Sequence, residues 1–103
     1  MEKLAFAFGP GARQLPHLPQ IVGVAGSGNL EILLEAADLN GMCEIEVATP
    51  ARGFDAIWDA VLEDCCQRWQ PANLRIAIND VGATPAVVSL RLDQALQAAS
   101  GEA

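Results

Sequence analysis

Apolar residues recur at every second position in four stretches of the chain and at helical spacing in two more. In "KLAFAF", Leu4, Phe6 and Phe8 share one side, the period of an extended strand. "LEILLEA" sends Leu30, Ile32 and Leu34 one way and Glu31 and Glu35 the other. "MCEIEVAT" repeats the arrangement with Cys43, Ile45 and Val47 against Glu44 and Glu46, and "NLRIAIND" places Leu74, Ile76 and Ile78 inward. "IVGVAG" reads as a further strand. "LNG", between "LEILLEA" and "MCEIEVAT", has the residues of a tight turn and predicts a hairpin there. "GPGARQLPHLPQ", residues 9–20, carries three prolines and two glycines and is predicted as a loop. At about a dozen residues it exceeds the usual connection, so it is either functional or mobile.

The period changes at "GFDAIWDAVLEDCCQRWQP". Phe54, Ile57, Trp58, Val61, Leu62, Cys65 and Trp69 form one helical stripe, and Asp55, Asp59, Glu63, Gln67 and Arg68 take the other face. Asp55 near the start and Arg68 near the end suit the helix dipole, and Pro71 ends the run. Both tryptophans lie on the stripe, which assigns them to the core rather than to a ligand platform. In "GATPAVVSLRLDQALQAASG", Thr84 is the expected N-cap and Pro85 the first helical residue, where a missing N–H costs nothing. Val88, Leu92, Ala95 and Ala99 form the apolar stripe, and Gly101 the stop. Asp80, Gly82 and Thr84 read as turn and cap residues.

The predicted order is β-β-β-β-α-β-α. Strands with one apolar and one acidic face need helices on one side only. The expectation is an α+β fold: two layers, a mainly antiparallel sheet of about five strands and two helices on one face. The strand after the first helix can return parallel to its neighbour through a right-handed crossover. Residues 1–103 are expected to form a single domain.

Composition narrows what such a domain could do. Six bases against thirteen acids give a net charge of −7, which excludes a phosphate-neutralising nucleic-acid surface. The acids are spread along the chain; the face of Glu31, Glu35, Glu44 and Glu46 is either plainly solvated or a docking surface for basic partners. No apolar run approaches the roughly 20 residues of a membrane span, and the N-terminus lacks a signal peptide's charge and length. A cytoplasmic protein is expected. The three cysteines form no CxxC, and His17 is the only histidine, so no metal site is predicted. Cys43 and Cys65 are expected in the core, while Cys66, about 100° further round the helix, points toward partial exposure. His17, bracketed by prolines, is expected to be solvated.

One turn remains. "VGVAGSGNLEILLE" holds Ser27 between Gly26 and Gly28. A plain hairpin turn accounts for these residues, since Gly and Asn tolerate the positive φ such turns need. A dinucleotide fingerprint fails because Glu31 stands where the third glycine belongs. A nucleophile elbow fails because Ala25 and Asn29 stand at the required glycine positions and no helix follows. An attachment point fits: it needs an open hydroxyl and an uncrowded backbone, and activation comes from the modifying transferase.

On these residues the chain resembles the acyl carrier (delta) subunit of malonate decarboxylase. The likeness covers most of the chain and is densest in "VGVAGSGNLEILLE" and "INDVGATPAVVSLRLDQAL". The gamma subunit of citrate lyase is similar in its Ser-Gly-before-a-strand pattern, and "GATP" favours the malonate enzyme. The resemblance implies a non-catalytic carrier whose Ser27, flanked by Gly26 and Gly28, bears 2′-(5″-phosphoribosyl)-3′-dephospho-CoA through a phosphodiester. The terminal thiol would hold acetyl and malonyl thioesters. A thioester carbonyl accepts the charge of decarboxylation better than a second carboxylate does, with oxyanion donors supplied by a partner. Implied partners are the acyl transferase and decarboxylase subunits and the prosthetic-group transferase. The alternatives are a citrate or citramalate lyase carrier and a small structural or regulatory subunit. The 9–20 loop and the Cys65–Cys66 pair match no motif.

Overall fold

The computed structural model describes residues 1–101; the expected domain of 1–103 runs past them. Five strands form the main sheet: β1 (Glu2–Phe8), β3 (Gln20–Gly23), β4 (Asn29–Ala36), β5 (Cys43–Thr49) and β7 (Leu74–Val81), in the order β1-β5-β7-β4-β3. Neighbours pair antiparallel except β5 and β7, which are parallel. Helix α1 (Asp55–Trp69) connects that parallel pair, and α2 (Pro85–Ser100) follows β7. Two-residue strands β2 (Arg13–Gln14) and β6 (Pro71–Ala72), which the sequence pattern does not predict, pair parallel with each other. The fold is α+β with a mainly antiparallel five-stranded sheet.

The core follows the alternation. Leu30, Ile32, Leu34, Ile45, Val47, Leu74, Ile76 and Ile78 are at most 2% exposed, and they pack against Trp58, Leu62, Cys65, Val88, Leu92, Ala95 and Leu96 of the helices. Each such aliphatic side chain contributes about 1.5–3 kcal/mol on burial. β7 has strands on both sides, and its inward residues lie at the centre of this layer.

The predicted hairpin between β4 and β5 is corrected. The tight turn is present: Met42 N–H donates to Leu39 C=O at 3.0 Å, with positive φ at Asn40 and Gly41. Its two strands do not pair, because β7 lies between them. Asn73, just ahead of β7, accounts for this. Its Oδ1 accepts from Leu39 N–H and Gly41 N–H at 3.1 and 2.8 Å, and its C=O accepts from Ala37 N–H. The turn's donors are satisfied by the inserted strand rather than by a hairpin ladder.

Three placements on α1 and β3 also differ from expectation. Phe54 and Ile57, predicted on the core stripe, are 47% and 45% exposed at the entry to α1. Cys66 is buried rather than partly exposed, at 8% exposure within the core cluster that also holds Cys43 of β5. A strand surface on one side and the 9–20 segment on the other cover an arc of helix wider than the apolar stripe. β3 stops at Gly23, short of the predicted "IVGVAG", leaving Val24 and Ala25 exposed ahead of the turn.

The 9–20 segment is a strap. Gly11 N–H donates to Gly41 C=O, Arg13 N–H to Gln70 C=O and His17 N–H to Ala99 C=O, each at 2.9 Å. It thus ties the β4–β5 turn to the C-terminal ends of both helices, with Leu15 buried beneath. His17 is exposed, as expected, with its ring against Gly101.

Candidate functional site

Ser27 sits at the opposite end of the sheet from the strap, where β3 turns into β4. Asn29 N–H donates back to Gly26 C=O at 2.9 Å, closing a four-residue turn with Ser27 and Gly28 at its centre. Of the four residues only Gly28 has a positive φ, +72°, the pattern of a type II turn. Ser27 is exposed, and a Cβ built on Gly26 or Gly28 meets nothing within 4 Å. The hydroxyl therefore stands in open space on an uncrowded backbone.

The base of the turn, by contrast, is fixed. Gly28 N–H donates to Val81 C=O at 2.7 Å, and Asn29 bridges to Gly82. Asn29 Oδ1 accepts from Leu30 N–H at 2.9 Å and from Arg91 Nε of α2 at 3.3 Å, while Arg91 Nη1 donates to Gln94. Gly23 lets the two hairpin strands approach: a Cβ there would lie 2.2 Å from Leu30 O. A tip free to be reached thus stands on a base anchored to β7 and α2.

Beside this base, Asp80 is 4% exposed and fully engaged: Thr49 Oγ1 donates to its Oδ2 and Ala83 N–H to its Oδ1, both at 2.8 Å. Thr84 Oγ1 accepts from Val87 N–H at the start of α2, with Pro85 next. Asp80, Gly82 and Thr84 hold the β7–α2 connection beside the Ser27 turn. Pattern reading did not single out Gly23, Asn29 or Arg91 for this role. Gly23 is legible only once strand separation is known, and the Asn29–Arg91 contact spans 62 positions.

Cys43 and Cys65 lie in the core as expected, and all three thiols are free. The hydrogen bond to Cys66, then burial, pushes the Cys43 thiol far above its usual range, and burial first of all pushes Cys65 up to about 12. Cys43 and Cys65 lie toward the strap end and pack rather than react. Among the described residues no helix is long and apolar enough to cross a membrane, and no three His, Cys, Asp or Glu side chains gather as a metal site.

The chain matches the family described as malonate decarboxylase delta subunit over residues 18–99. It is 56% identical over 104 residues to the malonate decarboxylase acyl carrier protein of Xanthomonas euvesicatoria pv. vesicatoria, covering 98% of this chain and 97% of that protein. To the protein of the same name from Acinetobacter calcoaceticus it is 47% identical over 102 residues, covering 99% and 100%. A chain in the crystal structure of a Pseudomonas malonate decarboxylase hetero-tetramer in complex with malonate superposes with a TM-score of 0.83 at 40% identity, over 94% of this chain and 97% of that one. With the family match spanning the Ser27 turn, α1, all but the last residue of α2 and four of the five main strands, the chain belongs to the malonate decarboxylase delta subunit family.

Proposed function

We propose that this chain is the acyl carrier subunit of a malonate decarboxylase and that Ser27 carries 2′-(5″-phosphoribosyl)-3′-dephospho-CoA in phosphodiester linkage. The observation that carries the reading is the Ser27 hydroxyl, exposed between two glycines whose surroundings are open. A transferase must wrap the acceptor backbone closely, and a Gly-Ser-Gly tip admits that. When bound, the group supplies a thiol that holds acyl groups as thioesters.

The chain's own residues anchor and aim. Gly28 and Asn29 pin the turn to β7 and the residue after it, so the attachment point is fixed relative to the sheet. Arg91, tied to the turn through Asn29, is a guanidinium suited to the phosphodiester's charge. The single histidine, His17, sits at the strap end against Gly101 and cannot serve Ser27 as a base. Activation of the hydroxyl falls to the transferase, and decarboxylation and acyl transfer fall to other subunits. A tether serves those two sites by making each encounter intramolecular, at an effective concentration of about millimolar.

The test is the intact mass of the protein made with its own assembly enzymes. We expect a gain of one prosthetic group, and none in Ser27→Ala. An unmodified parent chain, or a modified Ser27→Ala, rejects the reading. Malonyl rather than citryl load on the thiol separates this carrier from that of a citrate lyase.

A further inference from the structure

A groove of about 350 Å³ opens at the Ser27 end of the molecule, between the entry to α1 and the entry to α2. Phe54 and Ile57 stand on one side and Ala83 and Pro85 on the other, with Trp58 and Asp80 at the bottom. Phe54 and Ile57 are about half exposed here, an arrangement that core packing does not explain. Among the described residues Asp80 is the one ionisable side chain that lines it, and both its carboxylate oxygens are already taken by Thr49 and Ala83. The groove therefore favours an uncharged, largely apolar group and disfavours a phosphate.

At Gly82 the groove comes close to the attachment turn. Gly82 lines it, and a Cβ on Gly82 would come within 4.0 Å of Gly28 N, the residue next to Ser27. Resting on the carrier reading of Ser27, we propose that this groove binds the purine base of the covalent arm, stacked against Phe54, and leaves the pantetheine end to swing. The arm runs from the serine phosphodiester through a ribose to adenosine, and only then through the pyrophosphate to pantetheine and the thiol. A groove one residue from the turn meets the near part of the arm. The base is the flat, uncharged member of that part, and base–aromatic stacking suits it. Seating the base shortens the mobile segment and so raises the thiol's effective concentration at the partner sites.

The test compares isotope-labelled protein, loaded by its own assembly enzymes and verified by intact mass, with unloaded Ser27→Ala. In the loaded chain we expect nuclear Overhauser contacts from the purine H2 or H8 to Phe54 and Ile57, and ring-current shifts at Ile57 and Ala83. Phe54→Ser and Ile57→Ser should load equally by mass and lose those contacts. Phe54 is the N-cap of α1 and makes no side-chain cap bond, so serine there does not threaten the fold. Loaded protein whose shifts stay within residues 24–31 overturns the proposal. So do contacts from the pantetheine methyls instead of the base, or groove shifts that arise only when partner subunits are added. An unmodified mass rejects the carrier reading itself, so the two failures are read on different measurements.

Discussion

Gly23 and Gly26 stand three positions apart in one hairpin and face opposite demands. At Gly23, with φ of +83°, a methyl group would meet the Leu30 carbonyl; at Gly26 it meets nothing. Gly23→Ala is expected to cost about 1–3 kcal/mol through overpacking and strain, while Gly26→Ala stays within about 0.5 kcal/mol. Urea unfolding of the two variants checks this, and equal midpoints would refute the account of the hairpin base. Ser27→Ala belongs with Gly26: an exposed hydroxyl buries nothing, so stability should change by less than about 0.5 kcal/mol while loading is lost. The thiols make the opposite case, of burial without chemistry. Cys65 keeps its proton to about pH 12 in the fold and has an ordinary value of 9.0. Above pH 9 the unfolded chain releases a proton the folded chain retains. That contribution is whole below pH 9 and is lost as pH rises toward 12, at about 1.4 kcal/mol per unit. Cys65→Val removes the titration; the difference between variant and parent stability should grow in the variant's favour from pH 9 to 10.5. A constant difference would count against the burial assignment.

Among the elements, β7 decides the sheet. Its own pattern predicts a strand but not where it goes, and the two flanking strands carry the same alternation of apolar and acidic residues. Asn73 supplies the answer by capping the β4–β5 turn from the strand inserted beneath it. Asn73→Ala leaves Leu39 and Gly41 N–H groups without that acceptor and puts alanine at a φ of +55°. We expect a loss of about 2–3 kcal/mol, together with faster hydrogen exchange at residues 39–42. A variant as stable as the parent would show that the turn holds itself. The helices were legible to different degrees. α2, with Thr84 as N-cap, Pro85 next and Gly101 at the end, matches its sequence signals residue for residue. α1 begins at Asp55 behind an N-cap with no side-chain bond, and its first apolar residues turn out to line a groove.

At the scale of the molecule, two ends and an open face differ in character. The strap closes one end; the Ser27 turn and the groove occupy the other. On the open face, Glu35 and Glu44 flank Arg75, which pairs with Glu44 at 3.5 Å, while Glu46 and Glu31 lie further along, opposite Ala77 and Asn79. If this face docks on basic partner surfaces, assembly should weaken steeply with salt, and a Glu31→Lys/Glu46→Lys variant should load normally yet assemble poorly by sedimentation. Assembly indifferent to both would leave the face merely solvated. By itself the sequence determined the strands' inward residues, the caps of α2, the Gly-Ser-Gly tip and the two-layer class. Each follows from neighbours within a few positions, through side-chain alternation, helical period and turn stereochemistry. Only the tertiary structure decided that β7 separates β4 from β5, that Gly23 and Arg91 support the turn, that the 9–20 segment is a strap, and that a groove adjoins Ser27. Apart from Gly23, which meets Leu30 within its own hairpin, those features are contacts between segments tens of residues apart, and no local preference encodes a distance across the fold.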